Sequence, residues 1–200
     1  MTKTTVTSNP AIGFSQTDDK QITNLEHTSG ARHYGRIDLV VRRTEGCWLY
    51  DSEGNKYLDC LSAYSAVNQG HHHPRIVGAV KDALNGNYGS VISNVVYTDS
   101  LALFLDKVSN LLPQLGPRFG SKGNKTLPKN GGVESVETAI KLARGWGYKA
   151  KGIEDGKQEI IVCGNNFHGR TITVVSFSTS EKYKEGFGPL TPGFVNVPYG

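Results

Sequence analysis

The sequence has few of the features that give a chain an obvious address or partner. Its three cysteines, Cys47, Cys60 and Cys163, are odd in number and form no C-x-x-C pair. That argues against a disulfide framework and for free thiols in a reducing compartment, so a cytoplasmic location is expected. No apolar run is long enough to cross a bilayer, and no membrane partner is expected. The net charge is only +4 and is spread along the chain. No basic run alternates with aromatics, which argues against nucleic acid. The first residues are rich in Thr and Ser but carry no Arg and no apolar segment, and Asp18 and Asp19 follow soon after. Neither a secretory signal nor a transit peptide fits that composition. No internal repeat is evident.

Glycine, by contrast, is plentiful, with 24 residues in a chain of 200. That suits a turn-rich α/β enzyme of one domain or a little more. The most informative stretch is residues 129–148, K-N-G-G-V-E-S-V-E-T-A-I-K-L-A-R-G-W-G-Y. Val133, Val136, Ile140, Ala143 and Gly147 recur at helical spacing and predict one small apolar face. Glu134 and Glu137 fall early, Lys141 and Arg144 later, as the helix dipole favours. Gly131 and Gly132 precede the helix, lack a Cβ and permit positive φ or close approach of a ligand. Free N–H groups at a helix start form an anion site, so Gly132 and Val133 are candidate phosphate donors. An ordinary loop-to-helix turn explains the same residues when they are taken alone.

Residues 1–32 are polar and weakly patterned and are expected to form a flexible arm, or to pack on a partner subunit. Residues 46–50 and 56–60 predict two strands joined by the turn Asp51-Ser52-Glu53-Gly54-Asn55. Residues 61–70 predict a loop of small polar residues. His71, His72 and His73 invite a metal reading, but adjacent residues do not share a face, and no distant ligand is spaced to complete a site. No metal is expected. Pro74 opens a helix with Ile76, Val77, Val80 and Leu84 as its stripe. Thr98 or Asp99 caps another, with Leu101, Phe104, Leu105, Val108 and Leu112 inward and Pro113 as the stop. Residues 159–163 form a nearly all-apolar run that predicts a buried parallel strand, and residues 194–197 predict a further strand. This is the rhythm of a doubly wound α/β sheet.

A second motif, G-N-N-F-H-G-R-T at residues 164–171, leaves the carboxyl end of the apolar strand, where ligands gather in open α/β sheets. Phe167 offers a flat apolar face, and Arg170 a planar fork suited to a carboxylate. His168 could exchange a proton. Each residue alone is as well explained by packing or solvation.

The ordered set G-G-V-E-S-V-E-T-A-I-K-L-A-R, N-F-H-G-R-T and G-F-G-P-L-T-P-G-F resembles the class III, fold-type-I aminotransferases, which use pyridoxal 5'-phosphate. The segments L-S-A-Y-S-A-V-N-Q-G-H-H-H-P, G-W-G-Y-K-A-K-G-I and H-Y-G-R look most like the ornithine aminotransferase branch. The resemblance runs from about residue 32 to residue 200. It implies a small-domain segment at residues 33–73 and the beginning of a large doubly wound α/β domain at residues 74–200. It also implies roles. Gly132 and Val133 match backbone donors to the cofactor phosphate, and Phe167 the aromatic on the pyridine ring. Arg170 matches the arginine for a substrate carboxylate, and Tyr34 and Tyr64 match tyrosines of the substrate pocket. The implied reaction moves the δ-amino group of ornithine to 2-oxoglutarate, in a homodimer when full length. Alternatives are another class III activity, on acetylornithine or 4-aminobutyrate, or a non-catalytic phosphate-binding or interaction fragment.

Two departures from the family pattern stand out. Gly131 replaces the family's Ser or Thr before the phosphate-binding glycine. Loss of one hydrogen bond to a charged group costs on the order of 1.5–3 kcal/mol if nothing replaces it. The family's Schiff-base lysine, its aspartate at the pyridine nitrogen and its substrate-switch glutamate are expected beyond Gly200. The 200-residue chain is therefore expected to be a truncated N-terminal portion, inactive and poorly folded on its own.

Overall fold

The computed structural model describes residues 17–87, 93, 95–111 and 124–200. They form two compact units, Met1–Ser100 and Leu101–Gly200.

In the first unit, helix α1 spans Asp19–Ser29. The part of the expected flexible arm that is described is thus helical. Its signal is local: the Asp18 side chain accepts from Gln21 N at 2.8 Å, closing the N-terminus. A polar helix without an apolar stripe needs an external anchor, and Asp19 supplies one. Its carboxylate accepts from Arg42 Nε at 2.9 Å and Nη2 at 2.6 Å, and from Ser52 Oγ at 2.6 Å. Glu26 and Arg36 form a second ion pair.

Strands β1 (Arg43–Glu45), β2 (Trp48–Tyr50) and β3 (Lys56–Leu58) form an antiparallel sheet in that order. The expected hairpin is β2–β3, in register Trp48 to Leu58 and Tyr50 to Lys56. Strand β1 was not expected. The turn is closed by Asp51, whose Oδ1 accepts from Glu53 N at 3.0 Å and Asn55 N at 2.8 Å. Arg43 lies 3.6 Å from the Tyr50 ring centroid and Lys56 3.8 Å from that of Trp48.

The expected loop after β3 holds a surprise. Ser62–Ser65 is a single left-handed helical turn, with φ of 48°, 48°, 58° and 71° at Ser62, Ala63, Tyr64 and Ser65. The three histidines that follow diverge. His71 Nε2 lies 2.8 Å from Asp59 Oδ2 and His72 Nε2 3.1 Å from Thr44 Oγ1, whereas His73 Nδ1 is buried without a hydrogen bond among the described residues. Helix α2 (Pro74–Asp82) has Pro at its first turn, as expected, and a wide turn, Ala83–Asn87, follows it. Its stripe is open, with Ile76, Val80 and Leu84 exposed.

Helix α3 (Asp99–Leu111) has Asp99 as its first residue, which leaves Thr98, one of the two expected caps, at the cap position, while Leu112 and the expected stop at Pro113 lie outside the described residues. Helix α4 (Gly132–Lys149) buries Ile140 and Gly147. Ala143 faces outward, against expectation. The half-buried Arg144 lies on the inward side instead, with Nη2 donating to Pro192 O at 2.6 Å and the guanidinium 5.3 Å from the Phe194 ring centroid.

Strands β4 (Ile160–Cys163) and β5 (Phe194–Val197) pair in parallel, Ile160 with Phe194 and Cys163 with Val197. A short helix, α5 (Ile172–Ser176), which the sequence did not suggest, fills the connection. Ile140, Val174 and Phe177 form the core, with Val133, Val136, Ile160, Val162 and Phe194 packed around it. The expected burial of β4 is not reached: Ile160 and Val162 are only partly buried against the core. Ile161 on the other face is 71% exposed, because nothing among the described residues covers that side of the two-stranded sheet.

Candidate functional site

The second unit brings its two motifs into contact. Gly169 has φ of 124°, and a Cβ placed on it would lie 2.4 Å from Val133 Cγ2. Only a glycine lets the N-F-H-G-R-T loop lie against the first turn of α4 this closely. Thr171 Oγ1 donates to the Glu137 carboxylate and ties the end of the loop to the same helix.

The start of α4 is preorganised by its own chain. Glu134 Oε2 accepts from Gly131 N at 2.8 Å, and Ser135 N donates to Gly131 O at 3.2 Å. The N–H groups of Gly132 and Val133 belong to the first turn, where a helix offers no intrahelical acceptor. They are the donors an anion would use, and the dipole supports it. The positive φ that glycine permits is not used here: Gly131 is extended, at φ −130° and ψ 161°. A Cβ on Gly131 would meet only Glu134 Oε2, at 3.9 Å, and one on Gly132 would meet nothing within 4 Å.

The loop is held from beneath. Asn166 Nδ2 donates to Cys163 O at 2.6 Å, and Asn165 N to Thr179 Oγ1 at 2.9 Å. His168 packs edge-on against the buried Phe177, centroids 5.3 Å apart, and its Nδ1 lies 3.2 Å from Asn166 Oδ1. It is a packing residue, and no proton-transfer role is assigned to it. Phe167 is 63% exposed, so its ring offers a free apolar surface. Its one ring contact among the described residues is edge-on to Tyr183, 6.2 Å between centroids. The Arg170 guanidinium lies 5.9 Å from the centroid of the same Tyr183 ring.

Tyr183 therefore touches both candidate residues of the loop, and sequence reasoning missed it. It sits in a short 3-10 turn, Glu181–Tyr183, in a charged stretch with no apolar period. The only available signal is an aromatic three residues ahead of the glycine-rich run that starts at Gly186.

In the first unit, Tyr64 lies on the left-handed turn and is 73% exposed. Tyr34 is half exposed and stacks edge-on against His33, centroids 4.6 Å apart. A cleft of about 710 Å³ between α1 and residues 36–41 is lined by neither tyrosine, whereas Tyr34 lines a smaller one of about 280 Å³ beside Glu26 and Arg36. Three carboxyls of this unit lie below the usual carboxylate range. The Ser52 hydroxyl holds down Asp19, with Arg42 adding to it. The Asn55 amide holds down Asp51, and the His71 imidazole holds down Asp59. Among the described residues no group of His, Cys, Asp and Glu is arranged to hold a metal ion. No helix among them is long and apolar enough to cross a membrane.

Comparison with known proteins gives this geometry a context. The ornithine aminotransferase of Brevibacillus brevis is 48% identical over 171 residues, which is 86% of this chain and 40% of that protein. That of Bacillus cereus is 46% identical over 181 residues, 90% of this chain and 43% of the relative. Among solved structures, the Toxoplasma gondii ornithine aminotransferase superposes with a TM-score of 0.82 at 28% identity, covering 94% of this chain and 42% of its own. An acetylornithine aminotransferase from Elizabethkingia anophelis gives 0.69 at 43% identity, covering 90% and 41%. The chain thus spans about two fifths of the length of these relatives and corresponds to the N-terminal part of their fold. The aminotransferase class-III family model matches residues 29–200, and the chain belongs to that family of pyridoxal-phosphate enzymes.

Proposed function

We propose that this chain is the N-terminal part of an ornithine aminotransferase, moving the δ-amino group of ornithine to 2-oxoglutarate with pyridoxal 5'-phosphate, as a homodimer when full length. The observation that supports the reading is the contact between Gly169 and Val133, which brings the loop that carries Phe167 and Arg170 against the first turn of α4. This arrangement fits a flat phosphorylated ring. The N–H groups of Gly132 and Val133 would hold its phosphate, and Phe167 would lie on its face. The cofactor, when bound, supplies an electron sink for the carbon that gives up the amine.

The chain's own residues bind and orient. Arg170 would pair its planar fork with a substrate carboxylate, with the Tyr183 ring 5.9 Å from its guanidinium. Tyr34 and Tyr64 shape the amine-donor pocket. In this reading residues 33–73 belong to a small domain and residues 74–200 open the large cofactor-binding domain. A related ornithine aminotransferase from Toxoplasma gondii carries the cofactor at partial occupancy in its active site, which supports the assignment.

The test is a full-length form, this chain continued to the length of its relatives, assayed side by side with ornithine, acetylornithine and 4-aminobutyrate. Ornithine should be turned over best. Preference for acetylornithine would move the protein to the branch of the Elizabethkingia anophelis neighbour. Failure to bind the cofactor at all would leave a non-catalytic phosphate-binding or interaction module.

A further inference from the structure

We propose that Asp59 and His71 form the device that positions Tyr64, acting through the left-handed turn that carries it. The inference rests on the reading that Tyr64 faces the amine donor. A left-handed turn of four L residues without glycine is unfavourable at every position, and persists only where its surroundings over-determine it. Ser62, Ala63, Tyr64 and Ser65 are such a run. Its backbone bonds include Ser65 N donating to Leu61 O at 3.3 Å, Ala66 N to Ala63 O at 3.2 Å and Val67 N to Ser62 O at 3.1 Å.

Both of its ends are fixed, and one carboxylate serves both. Asp59 Oδ1 accepts from Leu61 N at 3.1 Å and Ser62 N at 2.8 Å, fixing entry into the turn. Asp59 Oδ2 accepts from His71 Nε2 at 2.8 Å, fixing the residue that closes the loop. The two side chains keep only 10% and 19% of their accessible surface. Both residues are also tied by backbone to the turn between β1 and β2. His71 N donates to Gly46 O at 2.7 Å, Gly46 N to His71 O at 3.2 Å, and Asp59 N to Cys47 O at 2.9 Å. Gly70, at φ 91°, lets this seam close, since a Cβ there would come within 3.3 Å of Gly46 Cα. The loop is thus a closed ring with a part-buried charge-assisted bond as its clasp, and Tyr64 stands at its crest. Neither Asp59 nor His71 needs to touch substrate to set where the phenol stands.

The experiment uses the full-length form with His71→Leu, which removes the donor; His71→Gln, which keeps one; and Asp59→Asn, which keeps the size. The clasp predicts that His71→Leu and Asp59→Asn raise KM for the amine donor on the order of tenfold, the effect of one charge-assisted hydrogen bond. KM for the 2-oxo acid and cofactor affinity should stay within twofold, and His71→Gln should recover most of the loss. Amide exchange at Leu61 and Ser62 should accelerate in the same two variants. Tyr64→Ala should raise KM for the amine donor, and adding His71→Leu to it should have little further effect.

If Tyr64→Ala leaves that KM unchanged, the reading of Tyr64 fails and this inference fails with it. If Tyr64→Ala matters but His71→Leu adds its full effect on top, the positioning role alone is overturned. A uniform loss of cofactor, 2-oxo-acid and amine-donor binding in His71→Leu and Asp59→Asn would also overturn it, because a merely structural pair behaves that way.

Discussion

Each of the two units is held together internally, and by means opposite to the other's. In Leu101–Gly200 the strands and helices close on Ile140, Val174 and Phe177, and all the buried hydrophobic residues described lie in this unit. In Met1–Ser100 no described hydrophobic side chain is buried. Its elements are joined by Asp19 with Arg42 and Ser52, by Asp51 across its turn, and by Asp59 with His71. Apolar packing is non-directional and tolerant of pH, whereas carboxylate-centred hydrogen bonds are directional and need their charge. The candidate phosphate and carboxylate groups sit on the apolar unit, and the candidate donor-pocket tyrosines on the polar one. The cofactor side of the proposed reaction is thus rigid by packing, the donor side by a few named bonds.

The harshest way to break the contrast is Phe177→Ala. It should destabilise the second unit by about 3–5 kcal/mol, the usual cost of emptying a well-packed aromatic site. Each unit carries one of the two tryptophans, Trp48 and Trp146, so single-tryptophan forms report on them separately. Trp146 fluorescence should shift at lower denaturant while Trp48 stays in place. Equal shifts would mean that the units do not melt independently.

Arg170→Ala should come next. In a full-length form it should weaken 2-oxoglutarate binding by on the order of 1.5–3 kcal/mol, the range for a hydrogen bond to a charged group. Cofactor affinity, read by absorbance titration, should hold. Equal 2-oxoglutarate affinity in variant and parent would remove Arg170 from the site.

Gly131→Thr should act in the opposite direction. Gly131 is extended and a Cβ there has room, so threonine fits without strain. A restored hydroxyl beside the phosphate donors should tighten cofactor binding roughly tenfold, about 1.4 kcal/mol. Weaker binding would show that the new hydroxyl competes with the phosphate for the same N–H groups.

The smallest effect near neutrality is the pH response of the polar unit. Asp19, Asp51 and Asp59 have folded-state pKa values below the ordinary 3.8. A depressed carboxylate contributes stability that is present above its unfolded value and lost as pH falls through the folded one. Acidification below about pH 4 should therefore loosen the Trp48 unit first, with little change from pH 5 to 8. A Trp146 transition that precedes that of Trp48 would contradict the division.

Much of this was legible in the sequence, and the reasons differ by element. Helix α4 announces itself because a periodic stripe and a glycine start are both local. The β2–β3 hairpin is legible because Asp51 to Asn55 can close only as a turn. The contact of Gly169 with Val133 joins residues 36 positions apart, and no local pattern encodes it, although both motifs were visible. Helix α1 escaped because its stability comes from Asp19 reaching Arg42 and Ser52 rather than from an apolar face. The left-handed turn escaped because Ser-Ala-Tyr-Ser contains no glycine to signal it. Tyr183 escaped because its importance lies wholly in what it touches.

Gly169 has one more consequence, for anyone scanning this site by mutation. Alanine there would need a left-handed backbone and about an ångström of retreat from Val133 to reach ordinary contact. A misplacement of that size can cost on the order of a hundredfold in rate without removing any reacting group. An activity screen would score Gly169 beside Arg170 as indispensable. Yet what it contributes is room: it is a spacer of zero thickness, and its function is the side chain it does not have.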